Sequence, residues 1–430
     1  MNYDIFPSSA VYKTDILYLG GIPVPDLIKT YGSPLYILDR ETIQQQYTRL
    51  TQAFGQTNHE IIYAGKACLT IGVAQLLHKL GASIDVVSLG ELETALRAGV
   101  PPESIIMHGN NKSNDELDRA IHIGIRIMVD NEHELTRILD RSQASRPTPV
   151  LLRVNPDIQT ETHAYIQTGQ RTAKFGMAPS VVIPLLQTLA RDKRVRLLGL
   201  HSHLGSQLSD PEPYARMATA LINMLIQVRD DIGVLPQLNL GGGFGVSYTE
   251  SDAPVCVQPI IQGMIAAVST ACAAAKYSMP RLLIEPGRYL IARAGVTAYT
   301  IGDCKQAGDS AYRFIDGGMA DNLRPLIYNA VHSLAPVIQS KQAEKRPVFI
   351  AGKFCESGDK LPVSYLLPPL TTGDAIIMCT TGAYTYSMAS NYNRYCKPAM
   401  ILVDSGQAYP LVHRETVDSI IQHDVYLDAL

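Results

Sequence analysis

Lys66, in YAGKAC, follows the apolar β-branched run EIIYAG, so its amine is expected at a strand end in a partly desolvated site. Burial disfavours the ammonium form and yields an amine nucleophile able to form a Schiff base with an aldehyde. In LNLGGGFG a second run ends in Gly241, Gly242 and Gly243. Residues without Cβ let backbone amides approach an anion closely, so the triplet reads as a phosphate cradle or as a ligand-free strand-end turn. Arg288 and Ser206, in HSHLGSQ, offer further phosphate contacts. Glu285 ends a third run, RLLIE, directly before Pro286, Gly287 and Arg288. An acid there can pair with a protonated ring nitrogen, and a Schiff-base lysine with such an acid is the combination that binds pyridoxal 5'-phosphate (PLP). Taken alone, Glu285 and Arg288 read equally as a salt bridge. His201 and His203 lie two apart on a strand and project to one side. They suit either metal ligation or a ring stacked on a planar cofactor beside a structural histidine. No third or fourth ligand motif stands out at the other strand ends, so the stacking ring is preferred and no metal is expected.

These residues need a scaffold that brings strand ends together. From about residue 60, short apolar runs alternate with longer amphipathic segments, the pattern of parallel βα units. Eight runs fall at 60–66, 83–88, 104–109, 126–130, 150–155, 197–203, 237–243 and 281–288, preceded by a helix over Arg40–Phe54. This predicts an α/β fold, a (β/α)8 TIM-like barrel. Lys66, Ser88, His108, Asp130, Asn155, His203, the glycines, Glu285 and Arg288 then share the C-terminal face. After Arg288 the runs become β-like and are bounded by Gly, Pro and Asp, which predicts a mainly β C-terminal domain. The expected division is a barrel over 37–296, with 1–36 and 297–430 forming the β domain.

Composition narrows the partner. The 430 residues carry 37 Lys and Arg against 40 Asp and Glu, with 46% hydrophobic and 18% charged residues. That excludes disorder as the main state and argues against nucleic-acid binding, leaving a small molecule. Seven scattered cysteines without a C-x-x-C pair suggest neither a disulfide framework nor a zinc ribbon. The segment MNYDIFPSSAVYKTD lacks the pattern of a secretory signal, and the apolar stretch near 264–275 reads as too short to span a bilayer. A cytoplasmic protein without membrane contact is expected.

Together YAGKA, RVNPD…THAYIQTG…KFGM, GLHSHLGSQ, LNLGGGFG, EPGRYLIARAG, FCESGD and GAYTYSMASNYN resemble, in order and spacing, the motifs of diaminopimelate decarboxylases. These belong to the alanine-racemase-like, fold-type III PLP enzymes, and the resemblance runs from about 30 to 415. It implies that Lys66 holds PLP in Schiff-base linkage, that His203 stacks on the ring and that Glu285 keeps the ring nitrogen protonated. Ser206, Gly241, Gly242, Gly243, Arg288 and Tyr384 would surround the phosphate, with Pro286 and Gly287 in the same cofactor-binding set. Arg288, Arg324, Tyr328, Glu356 and Tyr384 would bind substrate, and Cys355 would donate the proton. A homodimer with shared active sites follows, each β domain delivering Cys355 and Glu356 to its partner's barrel.

The implied reaction is decarboxylation of meso-2,6-diaminopimelate to L-lysine, the last step of lysine biosynthesis. Arg324 suits the distal carboxylate that ornithine and arginine lack, and Glu356 suits the distal ammonium. A decarboxylase of the ornithine, arginine or carboxynorspermidine type, a catalytically silent PLP-binding regulator and a metal-dependent barrel hydrolase are the competing readings. Two departures stand beside the lysine. YAVKAN is the expected pattern, and Gly65 and Cys68 replace its Val and Asn, so a looser strand end and an altered pocket wall are expected.

Overall fold

The protein is described by a computed structural model covering residues 4–158, 174–339 and 343–427. The segment THAYIQTG lies outside the described residues. The chain forms two compact units, one of residues 46–245 and 255–289, the other of 1–45, 246–254 and 290–430.

In the first unit eight strands, all parallel to their neighbours, close into a barrel: His59–Ala64, Ser83–Val86, Ile105–Met107, Arg126–Val129, Thr148–Arg153, Val195–His201, Gln237–Asn239 and Arg281–Ile284. Closure is by Leu282 and Leu283 pairing with His59 and Glu60. Every predicted run contributes one strand, and each strand ends before its run does, because the strand ends turn over into loops. Ile62, Ile106, Met128, Leu151, Leu198 and Leu283 form an apolar core cluster, as expected of strands buried on both faces. Ser88, Ser113, Asn131 and Asp210 cap the helices that follow, each accepting a backbone N–H of the first turn. The predicted apolar stretch near 264–275 is part of a longer helix, Val257–Ala275, whose 19 residues are long and apolar enough to cross a membrane by length and composition alone. In this unit it packs against helix Pro211–Ile232, burying Ile260, Ile261, Met264 and Val268.

Near the opposite end from the strand termini, the barrel encloses a charged cluster. Arg126 donates to both oxygens of Glu60 at 3.0 and 2.5 Å, Ser83 donates at 2.5 Å, and Arg281 lies at 3.1 Å. Burial pushes the Glu60 carboxyl up, but the Arg126 bonds and charge outweigh it and hold it below its usual value. The group therefore stabilises the fold above the unfolded carboxylate pKa of about 4.3, and that contribution is lost as pH falls through the lower folded value. Glu60→Ala leaves Arg126 buried without its anion and should cost about 3–5 kcal/mol. A thermal melt of the variant at neutral pH checks this, and an unchanged midpoint would contradict it.

The second unit contains a three-stranded sheet, Val11–Lys13, Ile16–Leu19 and Ile22–Pro23, and a larger nine-stranded sheet. Leu35–Asp39 runs in the larger sheet between Gly295–Ala307, antiparallel, and Ala399–Asp404, parallel. Of the residues expected in the barrel, 37–45, 246–254 and 290–296 thus fall in the β unit. A boundary read from a change in texture cannot reveal such excursions: residues 37–39 continue an apolar strand, and 246–254 are a polar loop like those between other barrel elements. The helix Arg40–Phe54 occupies the predicted residues.

Candidate active site

At the C-terminal end of the barrel, strand His59–Ala64 turns into a short 3-10 segment, Gly65–Ala67, that carries Lys66. The lysine side chain is exposed and not partly buried as the sequence suggested. Its charge nevertheless acts on Asp85, Glu91 and His203. Gly65 is explained by space: a Cβ there would stand 2.7 Å from the Asp85 carbonyl oxygen, so the strand end is closely packed and not loose. Cys68 is buried, which pushes its thiol up to about 12 and leaves it a protonated, inert hydrophobe.

The glycine turn follows strand Gln237–Asn239. A Cβ at Gly241 would lie 2.4 Å from the Ser202 carbonyl oxygen, at Gly242 1.9 Å from that of Glu285, and at Gly243 2.1 Å from that of Gly205. Gly241 and Gly243 also have φ of 65° and 95°, which side chains rarely adopt. The triplet thus nests against three backbone segments that no other residue type would admit. The Gly242 N–H donates to Nδ1 of His203 at 3.1 Å. Burial first, then the charges of Lys66 and Arg153, keep that imidazole well below its usual pKa, so the ring is neutral with its proton on Nε2. Arg288, 5% exposed, donates through Nε and Nη2 to Ser206 Oγ at 3.3 and 3.1 Å.

Glu285 is the most heavily contacted of the predicted residues. Asn239 Nδ2 donates to its Oε1 at 2.6 Å, His201 Nε2 lies 3.1 Å from Oε2, and His108 Nε2 lies 2.8 Å from Oε1 without hydrogen-bond alignment. Burial pushes the carboxyl up, but His108 and His201 beside it hold it well below its usual value. Burial pushes His201 down to about 4, so it is neutral at pH 7. The sequence paired His201 with His203; the fold instead sends His203 to the glycine turn and joins His201 to His108 and Glu285, whose ligand atoms lie within 4.8 Å of one another. Asp85 and Asn239 were missed. Asp85 is 4% exposed within a strand, and burial raises its pKa. The only signal in the sequence was a carboxylate inside the apolar run SIDVVS and an amide inside QLNLGG.

Arg324, Tyr328, Cys355, Glu356 and Tyr384 all lie in the β unit. Arg324 opens the short helix Arg324–Tyr328, is buried, and has its guanidinium over the rings of Tyr248 at 5.3 Å and Tyr328 at 5.4 Å. Cys355 and Glu356 are exposed on a loop. Its base is fixed by Asp359, which accepts from the N–H of Phe354 at 2.9 Å and of Met319 at 2.7 Å, tying the loop to the segment that leads to Arg324. The Cys355 N–H donates to Asn393 Oδ1 at 2.8 Å. Tyr384 is half-buried at a left-handed φ of 57°.

Residues 40–292 match the family described as pyridoxal-dependent decarboxylase, pyridoxal binding domain. The chain is 39% identical over 417 residues to the diaminopimelate decarboxylase of Bacillus subtilis, covering 95% of each sequence. It superposes with a TM-score of 0.91, at 30% identity and 99% of both chains, on a crystal structure of diaminopimelate decarboxylase from M. jannaschii in complex with L-lysine. A lysine/ornithine decarboxylase from Vibrio vulnificus complexed with putrescine gives 0.75 at 26% identity, covering 89% of this chain and 97% of that one.

Proposed function

The chain belongs to the diaminopimelate decarboxylases, a family of pyridoxal-dependent decarboxylases, and on that premise we propose that it converts meso-2,6-diaminopimelate to L-lysine and CO2 with PLP bound in the barrel. The observation that carries the proposal is the set of groups at one end of one closed barrel: an amine at 66, a glycine turn at 241–243, an Arg288–Ser206 pair and a buried anion at 285. These fit the cofactor. The turn lets a ligand approach the backbone where no Cβ can stand, although the Gly241 and Gly242 N–H groups are held by Asn239 and His203; the guanidinium offers charge to a phosphate, and the carboxylate offers an acceptor to a ring N–H.

When bound, PLP supplies an electron sink for the pair left on the α-carbon as CO2 departs. Lys66 Nζ would hold the cofactor covalently. Gly241, Gly242, Gly243, Ser206 and Arg288 would bind the phosphate, with Pro286 and Gly287 in the same set, and the family resemblance adds Tyr384. His203 presents a flat neutral ring whose tautomer is fixed by the Gly242 N–H. Glu285 retains its negative charge and so keeps a proton on the ring nitrogen. Arg324, oriented by Tyr248 and Tyr328, takes the distal carboxylate, while Glu356 pairs with the distal ammonium. The Cys355 thiol returns a proton to the α-carbon. Cys355 and Glu356 are exposed in the single chain, which supports a homodimer in which they serve the partner's barrel.

The test is CO2 release and L-lysine formation by the purified holoprotein supplied with meso-diaminopimelate, and with ornithine and arginine in parallel. Faster turnover of ornithine would overturn the choice of substrate in favour of the lysine/ornithine type. Arg324→Lys keeps the charge but removes the planar fork, and should raise KM for meso-diaminopimelate about tenfold or more. An unchanged KM would remove Arg324 from the distal site.

A further inference from the structure

Glu285 is buried among three side chains: Asn239 and His201, which donate to its oxygens, and His108, whose Nε2 lies 2.8 Å from Oε1. Asn239, fully buried at the end of strand Gln237–Asn239, has a two-ended contact: Nδ2 donates to Glu285 Oε1 at 2.6 Å, and Oδ1 accepts the Gly241 N–H at 3.0 Å. His201, also fully buried, sits on the other oxygen at 3.1 Å. Its Nδ1 has no hydrogen-bond partner among the described residues, so the single proton of its neutral ring belongs on Nε2, facing the carboxylate. A lysine or arginine in these places would also hold the anion, but it would cancel the charge that a ring nitrogen needs beside it. Neutral N–H donors stabilise a buried carboxylate and leave its charge available. The nearby guanidinium of Arg153 has its own anion, Asp130, at 4.0 Å.

We propose that Asn239 and His201 are positioning residues that keep Glu285 ionised and aimed, and that Asn239 also locks the acid to the glycine turn, so that the ring-nitrogen site and the phosphate site hold a fixed separation. This rests on the assignment of Glu285 and the glycine turn to the cofactor. The backbone reinforces the link, since the Glu285 N–H donates to the Gly241 carbonyl at 2.8 Å.

His201→Phe keeps a buried ring and removes the donor; Asn239→Leu keeps the volume and removes both contacts; His201→Gln returns an N–H near the position of Nε2. Apoenzyme titrated with PLP should bind about 10- to 100-fold more weakly in the first two variants, the size of one hydrogen bond to a charged group, with most of the affinity recovered in His201→Gln. In the loaded enzymes kcat should fall with KM for meso-diaminopimelate nearly unchanged, and the absorption spectrum of the bound cofactor should change its pH dependence. A purely structural role would lower the melting temperature and leave that spectrum and the kcat-to-KM split as in wild type, which overturns the proposal. If His201→Phe does not fold, Asn239→Leu decides by the same readouts. Glu285→Gln is measured alongside. If it binds PLP and turns over like wild type, the assignment of Glu285 itself fails; if it is impaired while both clamp variants behave as wild type, only the clamp fails.

Discussion

Lys66→Ala is expected to fold normally and to lose at least about a thousandfold in kcat/KM, more than about 4 kcal/mol of transition-state stabilisation. The two halves of this expectation have separate causes. Lys66 is exposed on a short turn past the end of its strand, so truncating it removes almost no packing, and exposed substitutions of that kind usually stay within about 0.5 kcal/mol. The amine, however, is the chain's candidate for covalent attachment of an aldehyde, and nothing in alanine replaces it. Borohydride treatment of the wild-type holoprotein should fix a pyridoxyl group on Lys66, found by peptide mass analysis, and the variant should carry none. A variant that still releases CO2 at the wild-type rate, or wild-type protein labelled elsewhere, would transfer the role to another group.

Gly242→Ala is expected to have the largest structural effect of any single-methyl change at the barrel mouth. The added carbon would stand 1.9 Å from the Glu285 carbonyl oxygen, 2.6 Å from its carbon and 3.3 Å from Pro286 N. All three are backbone atoms that no rotamer change can move aside, and overpacking of this kind costs about 1–3 kcal/mol or more. Relief requires the turn to separate from the segment carrying Glu285 and Arg288, so PLP affinity should fall together with the melting temperature. Gly263→Ala is the matched control. It lies inside helix Val257–Ala275 with nothing within 4 Å of the added carbon, and should stabilise the protein by about 0.5–1 kcal/mol. If Gly242→Ala melts and binds PLP like wild type, the close nesting of the turn is not what selects glycine there.

The candidate site divides by how far each residue's role depends on its neighbours in the chain. Lys66, the glycine triplet, Glu285 and Arg288 were legible because each ends an apolar run, and parallel strands closed into a barrel place such ends on one face. The companions of Glu285 were not. His108 follows strand Ile105–Met107, while His201 and Asn239 end two other strands; they lie 177, 84 and 46 positions from residue 285, and no local pattern links residues that far apart. The spacing of His201 and His203 suggested that both project to one side of the strand. Strand Val195–His201 ends between them, so the alternation that would have kept them on one side stops there.

What the sequence by itself determined is periodic or covalent: eight β-branched runs make eight barrel strands, because hydrophobic alternation between strand and helix lengths is written along the chain. It also determined the types of reactive group, since an amine, a carboxylate and a Cβ-less turn are properties of single residues. Tertiary structure decided what each group meets. It put residues 37–45 in the β unit, left Lys66 exposed, replaced the expected slack at Gly65 by a close carbonyl, and set Asn239, His201 and His108 around one buried acid. The reason is physical. Charge state, exposure and strain depend on atoms within a few ångströms in space, and in a barrel most of those atoms belong to residues distant in the chain.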